Sequence, residues 1–415
     1  METINPKPVF TSALEKLIAV FMAGSIRPLP EDFNLLHYSY GYVHKVLSTL
    51  VREGVLTYTQ DQPRKMRLTT KGLEHLRAEM PMAYEYYMAI SDQNHPGTSD
   101  AHKLLMQREG DIQAFMLRSC VETGAQRELL SETLLASDQK LGLQNPLYLS
   151  TKEIKLINNA IAQKENREAK VGREQISRAS GVIFSKGICG PVYDLIGEEY
   201  MRMHLSAEIS MEGRTRAVYR NIIGPIRPDA EMQHIILYDR DEDMLSGLET
   251  YRLPSQNRTR RYARAPQRNA AANMVDVNAW RKKTTIFRAI TDYPVWKMEF
   301  RILPRHEHGC VCLWMLTRYT IEEIFKAVAA IFGDMEMHGM CLYLDGKAVS
   351  QFLDCNIVRL ESLRKKLKNA DEEDPIPLLC WEYQADFVSC FLGEGPYEIW
   401  PVRGDEVANY LYYGE

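Results

Sequence analysis

Between Leu14 and Arg77 the apolar residues recur first at helical spacing, then at every second position, then at helical spacing again. That switch constrains the fold more than any other feature of the chain. A pattern written for a helix leaves its apolar side exposed in a strand, so each segment has one workable state. Leu14-Glu15-Lys16-Leu17-Ile18-Ala19-Val20-Phe21 sets apolar groups on one helical side, and Gly24, Pro28 and Pro30 stop that helix. A short second helix fits Glu31 to His37, with Phe33, Leu35 and Leu36 inward. Ser39 is placed as the N-cap of a third, in which Val43, Val46, Leu47 and Leu50 recur at i, i+3, i+4 and i+7. Gly54 supplies the left-handed residue that a chain leaving a helix needs. Leu56-Thr57-Tyr58-Thr59 and Lys65-Met66-Arg67-Leu68-Thr69 then alternate like two strands about the turn Asp61-Gln62-Pro63-Arg64. Thr70-Lys71-Gly72-Leu73-Glu74-His75-Leu76 starts another helix.

This order resembles the winged helix-turn-helix module of many bacterial DNA-binding proteins, including the phrases Leu50-Val51-Arg52-Glu53-Gly54-Val55-Leu56 and Leu68-Thr69-Thr70-Lys71-Gly72. The resemblance covers Leu14 to Arg77. It implies that the third helix enters the major groove of double-stranded DNA and that the ribbon lies along the phosphates. Carried over by position, the DNA-binding residues are Ser39, Tyr40, Tyr42, His44 and Lys45 on the third helix and Arg64, Lys65 and Arg67 on the wing. The charge of the module is modest. Lys16, Arg27, Lys45, Arg52, Arg64, Lys65, Arg67, Lys71 and Arg77 face Glu15, Glu31, Asp32, Glu53, Asp61 and Glu74. A winged domain used only for protein contacts is therefore the competing reading.

A chain of 415 residues is too long for one ordinary domain, so two or three are expected. With 45% hydrophobic and 26% charged residues it has the composition of a soluble globular protein. A formal net charge of −4 means that whole-protein electrostatics do not drive nucleic-acid binding, which has to come from local basic patches. Cys120, Cys189, Cys310, Cys312, Cys341, Cys355, Cys380 and Cys390 form no CxxC and no paired framework. Met1-Glu2-Thr3-Ile4-Asn5-Pro6 does not read as a secretory leader, so reduced thiols in a cytoplasm are expected. No apolar run reaches the roughly 18 residues that a membrane span needs.

Pro81 to about Gln144 reads as helical, with an aromatic stretch at Ala83 to Ile90 and a longer helix from about Ser99 to Thr123. Tyr84, Tyr86 and Tyr87 fit either a base-stacking platform or a packing and homodimer face. The winged-helix resemblance implies a dimerisation helix at this position. Ile161 to Arg178 is dense in mixed charge and reads as a solvated connector. From Ala179 strands and helices alternate. Gly181-Val182-Ile183-Phe184 and Gly190 to Leu195 make a hairpin about Lys186-Gly187, and Glu198 to Ile222 a long helix. Gln233 to Tyr238 is a buried strand, Asp241 to Leu248 a helix, and Thr320 to Phe332 an amphipathic helix. Met340 to Leu344 is a strand, Ser350 to Lys368 a helix, and Pro377 to Trp381 and Tyr397 to Trp400 edge strands. The expected fold class is α/β or α+β with a mixed sheet, divided into 1–80, 81–176 and 177–415. No GxGxxG, GxxxxGK[ST] or GxSxG occurs, which removes support for nucleotide-binding and hydrolase folds built on those loops. Between Tyr251 and Val275 there is no acidic residue, while Arg252, Arg258, Arg260, Arg261, Arg264 and Arg268 crowd a loop that Arg281, Lys282 and Lys283 continue. Unopposed arginines repel one another unless anions are near, so the loop 251–283 is a second candidate for phosphates, or a strap for an acidic partner.

Three constellations could carry chemistry. His306, His308, Cys310 and Cys312 would share one side of a strand and offer metal ligands, but Pro304-Arg305 and Gly309 favour a turn there. His306-Glu307-His308 followed by Tyr343-Leu344-Asp345-Gly346-Lys347 is similar in order to the nucleases that break single-stranded DNA with a tyrosine, although Glu307 stands where that motif is apolar. Asp345-Gly346-Lys347, with Asp239 or Glu299, matches the acid-x-Lys arrangement of metal-dependent nucleases. None forms a full catalytic set, and no cofactor is implied. The layout as a whole, with Ser177-Arg178-Ala179-Ser180-Gly181-Val182-Ile183 and Pro191-Val192-Tyr193-Asp194, resembles the replication-relaxation proteins of Gram-positive conjugative plasmids and integrative elements. That resemblance implies a non-catalytic accessory protein that binds the DNA of a mobile element, with a nuclease-like α/β domain and replication or transfer proteins as partners. A transcriptional regulator, marked by an apolar ligand pocket, and a metal-dependent nuclease are the alternatives.

Overall fold

A computed structural model describes residues 8–23, 38–59, 62–90, 112–123, 146–151, 153–154, 157, 179–195, 211, 213–215, 233–252, 299–339, 341–371 and 373–414. The chain divides into two units, residues 1–168 and 169–415. Both belong to a mixed α/β architecture. Among the described residues no helix is long and apolar enough to cross a membrane.

In the first unit α1 (Ala13–Ala23) and α2 (Tyr40–Arg52) precede a hairpin of β1 (Leu56–Thr59) and β2 (Gln62–Leu68). Helices α3 (Thr70–Glu79) and α4 (Pro81–Ile90) follow. Leu14, Ile18, Val43, Leu47, Leu50, Val55, Leu56 and Leu76 form one core, against which Tyr84 and Tyr87 pack. These two tyrosines thus spend their rings on packing, as the packing reading of the aromatic stretch requires. The start of α1 is fixed twice. Ser12 and Glu15 cap each other's backbone N–H, and the Glu79 carboxylate accepts from the Val9 and Phe10 N–H at 2.9 and 2.7 Å. The hairpin departs from the sequence expectation, because Gln62, Pro63 and Arg64 belong to β2 rather than to the turn. The register shifts between Tyr58 and Thr59, so Pro63 falls between the paired residues Gln62 and Met66, where a missing N–H costs the ladder nothing. Residues 112–118 are helical, but β3 (Glu122–Thr123) and β4 (Leu147–Ser150) are paired parallel strands, where a helix was expected at the first.

The second unit opens with an antiparallel hairpin, β5 (Ala179–Phe184) and β6 (Cys189–Leu195), as the sequence suggests. Strand β6 is parallel to β7 (Gln233–Tyr238), and β7 to β8 (Glu299–Pro304). Helices α5 (Asp241–Arg252), α6 (Glu307–Arg318) and α7 (Ile321–Phe332) accompany them. The run 234–238 is buried throughout, the mark of a strand covered on both faces. A second sheet has the order β13-β12-β11-β10-β9. It consists of β9 (Met335–His338), β10 (Cys341–Leu344), β11 (Lys347–Gln351), β12 (Ile376–Trp381) and β13 (Tyr397–Val402). Strands β9 to β11 are antiparallel, and β11, β12 and β13 parallel. Helices α8 (Ile357–Leu367), α9 (Ala385–Leu392) and α10 (Gly404–Tyr413) follow among the described residues. Two expectations are corrected here. Strand β12 is interior rather than an edge: its pairing to β11 begins only at Leu378, just past Pro377, which lacks a donor. The expected helix from Ser350 starts only at Ile357, where Asn356 caps it.

Candidate nucleic-acid interface

Helix α2 is held at both ends. Ser39 accepts from the Tyr42 N–H at its start. At its end Gly54, with φ of +73°, lets the Gly54 N–H reach the Val51 carbonyl and the Val55 N–H the Leu50 carbonyl. This is the paired closure that only a left-handed residue permits. The phrases around Gly54 and Thr69 then lock together. Thr69 Oγ1 donates to the Gly54 carbonyl at 2.6 Å and accepts from the Gly72 N–H at 3.0 Å. The Thr69 N–H bonds the Val55 carbonyl at 3.0 Å, and Lys71 Nζ the Glu53 carbonyl at 2.7 Å. A Cβ on Gly72 would lie 2.3 Å from the Val55 carbonyl oxygen, so only glycine lets α3 close on this turn. The helix and the hairpin therefore present their outer surfaces from a fixed frame.

What those surfaces carry follows from helical geometry. At roughly 100° per residue, Val43, Val46, Leu47 and Leu50 face inward, and the opposite line runs through Gly41, Lys45, Ser48 and Arg52. The inner four are buried and the outer four exposed. Tyr40 and Tyr42, 51% and 45% exposed, flank that line. The Tyr40 ring stacks on His44 at 6.1 Å between centroids, and Tyr42 tilts against Tyr38 at 6.3 Å. The whole helix Tyr40–Arg52 contains no carboxylate. On the hairpin Thr57 pairs with Arg67, which is exposed. Among the described residues Lys45, Arg52 and Arg67 make no ion pair. Burial raises the Tyr87 phenol pKa, and the Arg67 charge opposes that rise.

Of the residues expected to meet DNA, Ser39, Tyr40, Tyr42, His44 and Lys45 lie together on the exposed side of α2, and Arg64, Lys65 and Arg67 all belong to β2. Gly41, Ser48 and Arg52 complete the outer line and were missed. Arg52 stands seven residues after Lys45, a spacing that returns to the same helical side and was there to be read. Arg258, Arg260, Arg261, Arg264 and Arg268, the second helix at 31–37, the connector 161–178 and most of 198–222 lie outside the described residues.

The constellations of the second unit come apart. Glu307–Arg318 is a helix, neither strand nor turn, so Cys310 and Cys312 point into the core while His306 and His308 are exposed at its start. The two imidazoles meet edge-on at 5.6 Å, with Tyr383 beside both. Burial and the neighbouring His308 hold the His306 pKa below its ordinary value. Among the described residues no group of three or more His, Cys, Asp or Glu is placed to hold a metal ion. Tyr343 lies on β10 against His338, and Asp345-Gly346 is the two-residue turn between β10 and β11, both residues at positive φ. Lys347 pairs with Asp374. Asp239 follows the end of β7, while Glu299 opens the parallel β8, so the two carboxylates stand about 20 Å apart at opposite ends of the sheet. Each is already engaged, Asp239 by Arg305 and Glu299 by Arg301. An open cleft of about 760 Å³ is lined by Ser389, Glu394, Tyr397, Glu398 and Ile399. No family model, curated protein or solved structure matches the chain.

Proposed function

We propose that the first unit is a winged helix-turn-helix module that binds double-stranded DNA, with α2 in the major groove and the β1–β2 hairpin along the phosphates. One observation carries the reading: the outermost line of α2 bears Lys45 and Arg52, Arg67 stands on the hairpin, and no carboxylate on that helix neutralises them. A surface left positive within a chain of net charge −4 is suited to an anionic partner. Phosphates satisfy it along a duplex, and the exposed Tyr40, Tyr42 and His44 are polar and planar groups suited to base edges. On the resemblance in layout, the DNA belongs to a plasmid or integrative element, and the protein acts in the cytoplasm as a non-catalytic accessory factor of replication or transfer. A transcriptional regulator and a nuclease are the alternatives; the engagement of Asp239 by Arg305 and of Glu299 by Arg301 gives the nuclease no support. Incubation of the purified chain with labelled duplex and single-stranded DNA, with Mg²⁺ present, tests the proposal. The expected result is retention of intact duplex that weakens as salt is raised. Cleavage would put the nuclease first, and absence of duplex binding at low salt would leave a protein-contact module.

A further inference from the structure

We propose that Cys312 and Cys355 are a peroxide-sensitive thiol pair that closes to a disulfide inside the second unit. The pair stands apart from the DNA-binding reading of the first unit. Cys312 lies on the inner side of α6, and Cys355 in the connection between β11 and α8, 43 residues further on. Both side chains are buried, and their sulfurs are only 3.4 Å apart. Cys355 is held at a φ of +56°, a conformation that strains a residue with a Cβ. Strain of this kind collects at active and switching sites. It is fixed from two sides here. The Cys355 N–H donates to the Phe352 carbonyl at 3.0 Å, and the Ile302 N–H of β8 donates to the Cys355 carbonyl at 2.9 Å. Two separately anchored elements thus present their sulfurs to each other. A disulfide brings its sulfurs to about 2 Å, so side-chain rotation and a small shift complete it.

Two polar neighbours suit the chemistry. Gln384 donates from its amide Nε2 to Cys355 Sγ at 3.6 Å. The Tyr383 hydroxyl lies beside Cys312, buried and without a hydrogen-bond partner of ordinary geometry among the described residues. An orphaned buried hydroxyl calls for an explanation, and an oxygen added to Cys312 would be its partner. The Tyr383 ring stacks on the exposed His308 at 5.5 Å, so the thiols lie one side chain beneath the surface there. Burial, with Cys312 beside it, holds the Cys355 thiol pKa well above its ordinary value and keeps it protonated until Cys312 has reacted. Cys312 Sγ attacks one oxygen of hydrogen peroxide, the O–O bond breaks, and water leaves. The sulfenic acid so formed accepts from the Tyr383 hydroxyl. Cys355 Sγ then attacks the Cys312 sulfur, the S–O bond breaks, and the hydroxide takes the Cys355 proton as a second water. The two thiols lose two electrons to the peroxide.

The test takes the full-length chain, reduced and then exposed to hydrogen peroxide without denaturant, through alkylation, digestion and peptide mass mapping. A linked Cys312–Cys355 peptide is expected. The thermal midpoint should rise with it, because the link closes a loop of 43 residues in the unfolded chain, and dithiothreitol should reverse both. Cys355→Ser is expected to stop at one added oxygen on the Cys312 peptide. Tyr383→Phe should slow the linkage about fivefold, the worth of one hydrogen bond. If both thiols are still free once the exposed Cys120, Cys341 and Cys390 have been oxidised, the proposal is overturned. A link that forms only after the chain is unfolded would overturn it as well.

Discussion

Four arginines of the second unit and three cations of the first are placed in opposite ways. In the second, Arg305 is gripped by the buried Asp194 at 2.9 Å and by both oxygens of Asp239. Arg301 lies against Glu299 and Asp354, Arg364 against Glu361, and Arg403 against Asp405 and Glu406. In the first, Lys45, Arg52 and Arg67 face outward with no carboxylate on them among the described residues. A cation matched within its own chain supports the fold, whereas one left open is available to an anion from outside. The first set does structural work and, on the proposed function, the second does recognition, a division that mutation can test.

The largest expected effect lies in the second unit. Arg305→Ala leaves Asp194, whose side chain is 1% exposed, without its guanidinium. Removing one partner of a buried ion pair costs about 3–5 kcal/mol, read as a lower denaturant midpoint. A pH effect of similar reach comes from His234, fully buried between the Tyr193 and Phe300 rings and held by burial at a pKa of about 3. The neutral form is the native one, so its contribution is complete above the unfolded pKa of about 6.5 and is lost as pH falls from there toward 3. The slope it adds approaches about 1.4 kcal/mol per pH unit, and His234→Phe should flatten the stability profile over that window. If wild type and variant share one profile between pH 6.5 and 4, His234 is not buried in this way.

Smaller is Gly72→Ala, which drives a methyl group into the Val55 carbonyl and should cost the first unit about 1–3 kcal/mol, together with its binding, because the frame of α2 opens. Smallest are Lys45→Ala, Arg52→Ala and Arg67→Ala. With no ion-pair partner among the described residues, each should shift stability by less than about 0.5 kcal/mol. A large loss of stability in any of the three would erase the contrast between the units.

Much of the first unit was legible in the sequence, because each element there announces its own ends. Ser39 caps α2, Gly54 closes it, and Thr69 caps α3, all by bonds within a few residues or one turn away. Helix α7 was legible from its amphipathic period, and Thr320 and Glu323 cap each other at its start. Helix α6 was not. Gly309, Cys310, Cys312, Leu313, Met315 and Leu316 are buried nearly all round, so no polar side marks a helical period. Strand β3 spans two residues, too few to display any period. At the candidate interface most of the polar residues were named from the sequence, and the place of Arg52 was legible too, seven residues after Lys45 on the side opposite Val43, Val46, Leu47 and Leu50. The Asp194–Arg305–Asp239 grip joins three strand ends far apart in sequence, and only the register of β6, β7 and β8 brings them together.

The central claim is that Lys45, Arg52 and Arg67 are open cations awaiting phosphate. The slope of log Kd against log salt for duplex binding tests it most directly, wild type beside the variant carrying Lys45→Ala, Arg52→Ala and Arg67→Ala. Each phosphate that the variant no longer neutralises should make the slope shallower by about 0.9, so the triple variant should fall short of wild type by two to three times that, with affinity reduced and the melt unchanged. An identical slope in the two proteins would contradict the account.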